Sequence, residues 1–129
     1  MTNLDHTILR VKSTAKSIDF YKKIMCFNHV GRAGPFEIIR VSPSLTIDLL
    51  QEKPKDLVHL AFALDSAAFH ELHARLVSQG IPFGGDVFIR DGRVSKNSFG
   101  ASGIARAFYF YDPDKHNLEA RLYELGNIT

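Results

Sequence analysis

Four residues of this chain pair metal-binding chemistry with comparable positions on strand-like segments: His6, Asp48, His59 and Glu119. Each lies in a short run of alternating residues, the pattern of a half-buried strand. In Leu57–Leu64 one parity reads Val58, Leu60, Phe62, Leu64 and the other His59, Ala61, Ala63. In Leu45–Gln51, Leu45, Ile47 and Leu49 oppose Thr46, Asp48 and Leu50. In Asn117–Tyr123, Leu118, Ala120 and Leu122 oppose Asn117, Glu119, Arg121 and Tyr123. In His6–Val11, Leu9 and Val11 oppose His6, Ile8 and Arg10. Successive side chains point to opposite faces. Each strand therefore has a greasy face for a covering helix and a second face carrying one potential ligand. If the second faces curve toward one another, the four residues converge. Two neutral imidazoles with one or two carboxylates suit a divalent ion: Zn, Ni, Mn, Co or Fe. Two His and one Glu leave positions open for water or substrate, as catalysis requires.

The elements that must position these residues form a repeat. Phe36–Val41, Val87–Arg90 and Arg106–Tyr111 read as further strands. Thr14–Cys26 has helical spacing, with Ile18, Tyr21 and Met25 on one stripe and Ser13 or Thr14 as its cap. Ala67–Gln79 places Ala68, Phe69, Leu72 and Leu76 inward, with Asp65 or Ser66 as cap and Gly80 as its end. LDHTILRV, a helix and two strands are followed by LVHLAFAL, a helix and further strands, so His6 and His59 fall at equivalent places. A repeat this long and this few does not make a solenoid. The expected fold is α+β: two βαβββ modules, about 4–52 and 56–124, within a single domain 1–129. Gly84–Gly103 reads as a long polar connection, the kind of segment that carries function or moves.

Composition narrows the function. The 129 residues are 45% hydrophobic with 10 Phe and 4 Tyr, enough to fold a core without a staple. Cys26 is the only cysteine, which excludes a disulfide scaffold. No apolar run approaches the ~20 residues of a membrane span. MTNLDHTILR lacks a secretory pattern, so a cytoplasmic location is expected. Sixteen Lys and Arg against 14 Asp and Glu leave a net charge of +2, with no electrostatic footprint for nucleic acid.

Other residues have weaker claims. Arg10 and Arg121 share the ligand parity and suit an anionic substrate such as a phosphonate, carboxylate or thiol conjugate, or else they pair with Asp48 or Glu119. Tyr123 shares the Glu119 parity and is a further substrate-binding candidate. Tyr109 and Tyr111 alternate with Phe108 and Phe110, and register decides which pair faces a pocket. Tyr109 is the binding candidate of the two. His70 and His73 read as a solvated helix face, and Cys26 as a small buried residue at a helix end.

LDHTILRV with the helix SIDFYKKIMCF, VHLAFAL, and the closing FYFYDPDKHNLEARLYE together resemble the vicinal oxygen chelate superfamily, across about Leu4 to Glu124. The closing segment is similar to that family's DPDGH-x-hydrophobic-E signature, with Lys115 in place of the glycine and His116 supporting a turn. The resemblance implies paired βαβββ modules curled into a mixed sheet around a metal pocket. Its metal positions fall on His6, His59 and Glu119. It implies a glyoxalase-like lyase or isomerase acting on a small substrate that chelates the metal through vicinal oxygens, with Glu119 or Asp48 as base. Asp48 stands where glyoxalase I has a glutamate. Alternatives within the family are a fosfomycin-type thiol transferase, an extradiol dioxygenase relative, and a non-catalytic antibiotic-binding protein. The resemblance also implies a homodimer, because in this superfamily modules often pair between chains.

Overall fold

The computed structural model describes residues 1–124; the last five residues of the expected domain lie outside them. The chain divides into two compact units, Met1–Leu57 and Val58–Thr129. Each is an α+β unit built on one mixed, unclosed sheet with a single helix.

In the first unit, strand β1 (His6–Val11) leads into helix α1 (Thr14–Lys23). Strands β2 (Asn28–Ala33), β3 (Phe36–Ser42) and β4 (Leu45–Gln51) follow. The sheet order is β1-β4-β3-β2, with β1 parallel to β4 and the other pairs antiparallel. Parallel neighbours need a crossover, and α1 begins it. Ser13 caps that helix by accepting from the Lys16 N–H. The apolar parity of β1 and β4 is the core: Leu9, Val11, Ile47 and Leu49 are buried with Ile39 of β3 and Tyr21 of α1. Each such side chain is worth ~1.5–3 kcal/mol when fully buried.

The second unit repeats the plan: β5 (His59–Ala63), α2 (Ser66–Gln79), β6 (Phe83–Gly84), β7 (Ser95–Gly100), β8 (Gly103–Tyr111) and β9 (Asn117–Leu122). The order is β5-β9-β8-β6, and β7 also pairs with β8. Asp65 caps α2 by accepting from the Ala68 N–H, and Gly80 ends it in the left-handed conformation. Phe69, Leu72 and Leu76 of α2 pack with Phe108, Phe110 and Leu118 of the sheet, all buried. The Phe69 and Phe108 rings are tilted, with centroids 4.9 Å apart.

Three expectations need correction. Val87–Arg90 is not a strand but a turn closed by an isolated Asp86–Ile89 bridge. Its backbone folds directly over Gly84, where a β-carbon would collide with the Ile89 carbonyl. The Arg90 Nη1 then donates to the carbonyls of Asp86, Val87 and Ile89. Gly84–Gly103 is not all connection, because Ser95–Gly100 forms the outer strand of a hairpin with β8. Its Ser, Lys and Asn have little strand preference, so pairing rests on the free edge of β8. Cys26 is exposed, not buried, and takes φ 58° in the turn after α1, which ends at Lys23. The strand Asn28–Ala33 was not anticipated; it is polar, glycine-containing and interrupted by a register shift between His29 and Gly31.

Candidate metal centre

The parallel pairing of β5 with β9 sets Ala61 opposite Glu119 and His59 opposite Asn117. Side chains of one parity share a face, so His59, Ala61 and Ala63 lie on the same side as Glu119 and Arg121. The two alanines leave room there. A cavity of about 430 Å³ opens over this face, lined by His59, Glu119, Arg121 and Tyr123 and by Phe99 and Ser102 of the β7–β8 hairpin.

Within it, His59 Nε2 and Glu119 Oε1 are 3.0 Å apart. The Glu119 side chain is only 6% exposed, whereas that of His59 is 42% exposed. The other carboxylate oxygen, Oε2, accepts from Nη1 of Arg121. Arg121 is equally buried. Its remaining N–H groups go to Ser98 Oγ at 2.8 Å, the Ser98 carbonyl at 3.0 Å, the Gly103 carbonyl at 3.4 Å and, from Nε, the Tyr123 hydroxyl at 3.2 Å. Burial alone would lower the pKa of this guanidinium. The hydrogen bonds to Glu119 and Tyr123 more than reverse that, so it lies above the ordinary arginine value.

Tyr123 accepts a second hydrogen bond, from the Ser102 N–H at 3.3 Å. Burial pushes its phenol pKa up, but the Ser102 and Arg121 donors and the arginine charge outweigh this and hold it below the usual range. Tyr109 pairs with Glu119 across β8 and β9, so register puts it on the Glu119 face. Its hydroxyl bonds Ser98 Oγ at 2.9 Å, and its ring stacks toward His59 with centroids 6.1 Å apart. His116 is a buried turn residue whose Nδ1 accepts from the Val58 N–H.

The other two expected ligands belong to the first unit. His6 lies opposite Thr46, and Asp48 opposite Ile8, on the adjacent parallel strands β1 and β4. His6 Nδ1 is 2.7 Å from Asp5 Oδ2. That hydrogen bond, then the charge of Asp48, raises the imidazole pKa above its ordinary value. Asp48 Oδ1 accepts from Thr46 Oγ1 at 2.9 Å. Arg10, expected to meet an anion, stands 3.6 Å from Glu52.

The second-unit pair fits a divalent ion. Two ligand atoms ~2.1 Å from one ion and at the right angles of an octahedral site lie about 3.0 Å apart, and the hydrogen-bonded His59 Nε2 and Glu119 Oε1 have that separation. Among the described residues, no three His, Cys, Asp or Glu side chains gather into a finished cluster. No helix among them is long and apolar enough to cross a membrane.

Sequence reasoning missed the hairpin wall. Its signal was present: GASG between SKNSF and IARAFYFY is a short turn between two candidate strands.

The fold and the sequence together identify the family. The chain belongs to the Glyoxalase/Bleomycin resistance protein/Dioxygenase superfamily, whose model matches residues 3–120. Among solved structures it is similar to Oxidase ChaP-H2, at 25% identity and TM-score 0.85 over 99% of this chain and 98% of that one. Oxidase ChaP-H1 is similar at 25% identity and TM-score 0.84, covering 98% of this chain and 100% of that one. The fosfomycin resistance protein FosX from Listeria monocytogenes shares the fold at 21% identity and TM-score 0.72, over 98% of this chain and 97% of that one. No curated protein matches the sequence.

Proposed function

We propose that this protein is a metal-dependent enzyme whose substrate is a small molecule with two neighbouring oxygens. The observation that carries this reading is the His59–Glu119 pair, one imidazole nitrogen and one carboxylate oxygen at ligand spacing on the wall of a cavity. The family resemblance adds His6 to this pair as a further candidate ligand. A divalent ion held by two imidazoles and one carboxylate keeps positions open for a chelating substrate and acts as a Lewis acid there. The protein's own part is to orient the imidazole, to present one glutamate oxygen, and to shape a cavity that takes a small molecule.

Two chemistries suit such a substrate. The first is glyoxalase-like lyase or isomerase chemistry, in which a carboxylate moves a proton between adjacent carbons. Glu119 would serve poorly as that base, since Arg121 holds one of its oxygens and the ion would hold the other. Asp48 is the other base that the family resemblance implies. The second is oxygen-dependent oxidation. It is favoured by the two-His, one-carboxylate set, which is typical of non-haem Fe(II) oxygenases, and by the full-length similarity to two oxidases. A fosfomycin-type transfer to an anion has less support, because every Arg121 donor is directed at a protein acceptor and Arg10 faces Glu52. We read the protein as a cytoplasmic homodimer.

The experiment is elemental analysis of untagged protein, wild type beside His59→Ala and Glu119→Ala. Each reconstituted ion is then assayed for oxygen uptake with catechols and for turnover of a hemithioacetal. About one ion per chain in the wild type, lost in both variants, is expected. A wild type that takes up no ion sinks the enzyme reading and leaves a metal-free small-molecule binder.

A further inference from the structure

The geometry points to Arg121 as a positioning residue that makes Glu119 a one-oxygen ligand. This rests on reading His59 and Glu119 as metal ligands. Of the two readings of Arg121 from the sequence, an anionic substrate or a pair with Asp48 or Glu119, its environment matches the pair with Glu119. A guanidinium has five N–H donors. Here they go to Glu119 Oε2, Ser98 Oγ, the carbonyls of Ser98 and Gly103, and the Tyr123 hydroxyl. None is left for a ligand in the cavity.

The consequence falls on the carboxylate. Residues two apart on a strand share a face, so Arg121 reaches Glu119 from its own strand. It engages Oε2 and leaves Oε1 toward His59 Nε2. A carboxylate otherwise rotates about its last torsion and binds an ion through one oxygen or two. With Oε2 engaged by a buried guanidinium, only Oε1 is offered. Donor groups behind a ligand orient it in this way in metal sites generally.

The β7–β8 hairpin builds the cradle. Ser98 supplies two acceptors, Gly103 a third, and Gly100 supplies space, since a β-carbon there would collide with the guanidinium of Arg121 and crowd the Tyr123 hydroxyl. The hairpin therefore reaches the metal ligand through Arg121, without contributing a ligand itself.

The test uses Co2+ as the probe, with full-length protein and no substrate. Wild type, Arg121→Gln, Arg121→Lys and Gly100→Ala are titrated, and the visible spectrum is recorded at saturation. The positioning role predicts a Co2+ affinity roughly 10–100-fold weaker in Arg121→Gln. It also predicts a changed spectrum at saturation, as Oε2 becomes free to coordinate, and partial recovery of both in Arg121→Lys, which keeps the charge but not the fork. Gly100→Ala, which displaces the guanidinium without removing it, should shift both in the same direction. A merely structural role would lower thermal stability and leave the saturated spectrum unchanged. Unchanged affinity and spectrum in Arg121→Gln, or in Gly100→Ala if the former does not fold, overturns the inference while the metal site stands. A wild type that binds no Co2+ or other divalent ion overturns both.

Discussion

Glu119 and Arg121, two residues apart on one strand, are both buried and bonded to each other, while the carboxylate keeps one oxygen 3.0 Å from the His59 imidazole. A buried ion pair is costly to assemble and costlier to break on one side. Here the arginine is fully satisfied by protein acceptors. The glutamate is the member with an oxygen turned to the cavity.

Subunit exchange tests how the ligands are shared. His6 belongs to one unit and His59 with Glu119 to the other. If the site is completed between chains of a homodimer, mixing His6→Ala with Glu119→Ala protein under exchange conditions restores one intact site per mixed dimer, because both lesions fall in the other site. Metal content should then rise from near zero toward half an ion per chain in the mixed dimers. If one chain supplies all three ligands, mixing restores nothing.

The His6 imidazole should titrate above the ordinary ~6.5 in metal-free protein, since its protonated form is favoured first by Asp5 and then by Asp48. A ligand nitrogen must be neutral, so protons compete with the ion as pH falls through that raised pKa. Ring-proton NMR should show the pKa falling in Asp5→Asn and, by less, in Asp48→Asn. Metal affinity at neutral pH should fall in both variants, because the carboxylates that favour the proton favour the cation too. A much larger loss in Asp48→Asn than in Asp5→Asn would make Asp48 itself a ligand.

Tyr123 should ionise below the ordinary ~10 of a tyrosine. Burial raises its phenol pKa, but the Ser102 and Arg121 donors and the arginine charge outweigh that. In a phenolate absorbance titration, a step below the ordinary range should be present in the wild type and vanish in Tyr123→Phe. Persistence of that step in the variant overturns the assignment.

Ser17 is a liability in the first core. It is fully buried on α1, and its hydroxyl has no hydrogen-bond partner among the described residues. Removing a buried hydroxyl that bonds nothing relieves a desolvation cost, and alanine is the better helix former. Ser17→Ala should raise the unfolding free energy by about 1 kcal/mol in urea melts without changing metal content. A loss of stability would mean the hydroxyl has a partner in solution.

Much of this was legible because a strand has a rigid period of two. The parity of His59 with Ala61 and Ala63, and of Glu119 with Arg121 and Tyr123, survived into the wall of one cavity. The caps Ser13 and Asp65 and the stop at Gly80 were equally local, hence readable. What escaped depends on partners distant in sequence. Val87–Arg90 has an apolar strand-like pattern, yet Gly84 lets it fold back as a turn. Ser95–Gly100 looks like a loop, yet the edge of β8 makes it a strand. The pair of Arg121 with Glu119 was one of two readings open in the sequence, but the hairpin acceptors at Ser98 and Gly103 that take its other donors were not.

The edge of β8 has one more consequence. It receives two short strands in succession: β6 at Phe110 and Tyr109, then β7 from Ala107 down to Gly103. The chain leaves that edge after Gly84 and returns to it at Ser95. Each docking is fixed by its own pairing, and the excursion between them has a fastening of its own: Asn117 donates to the Val87 carbonyl and accepts from Arg90. Asn117 lies two residues before Glu119 on β9, and residues two apart on a strand share a face. A change of length in the excursion therefore breaks its bonds on the strand that carries the carboxylate.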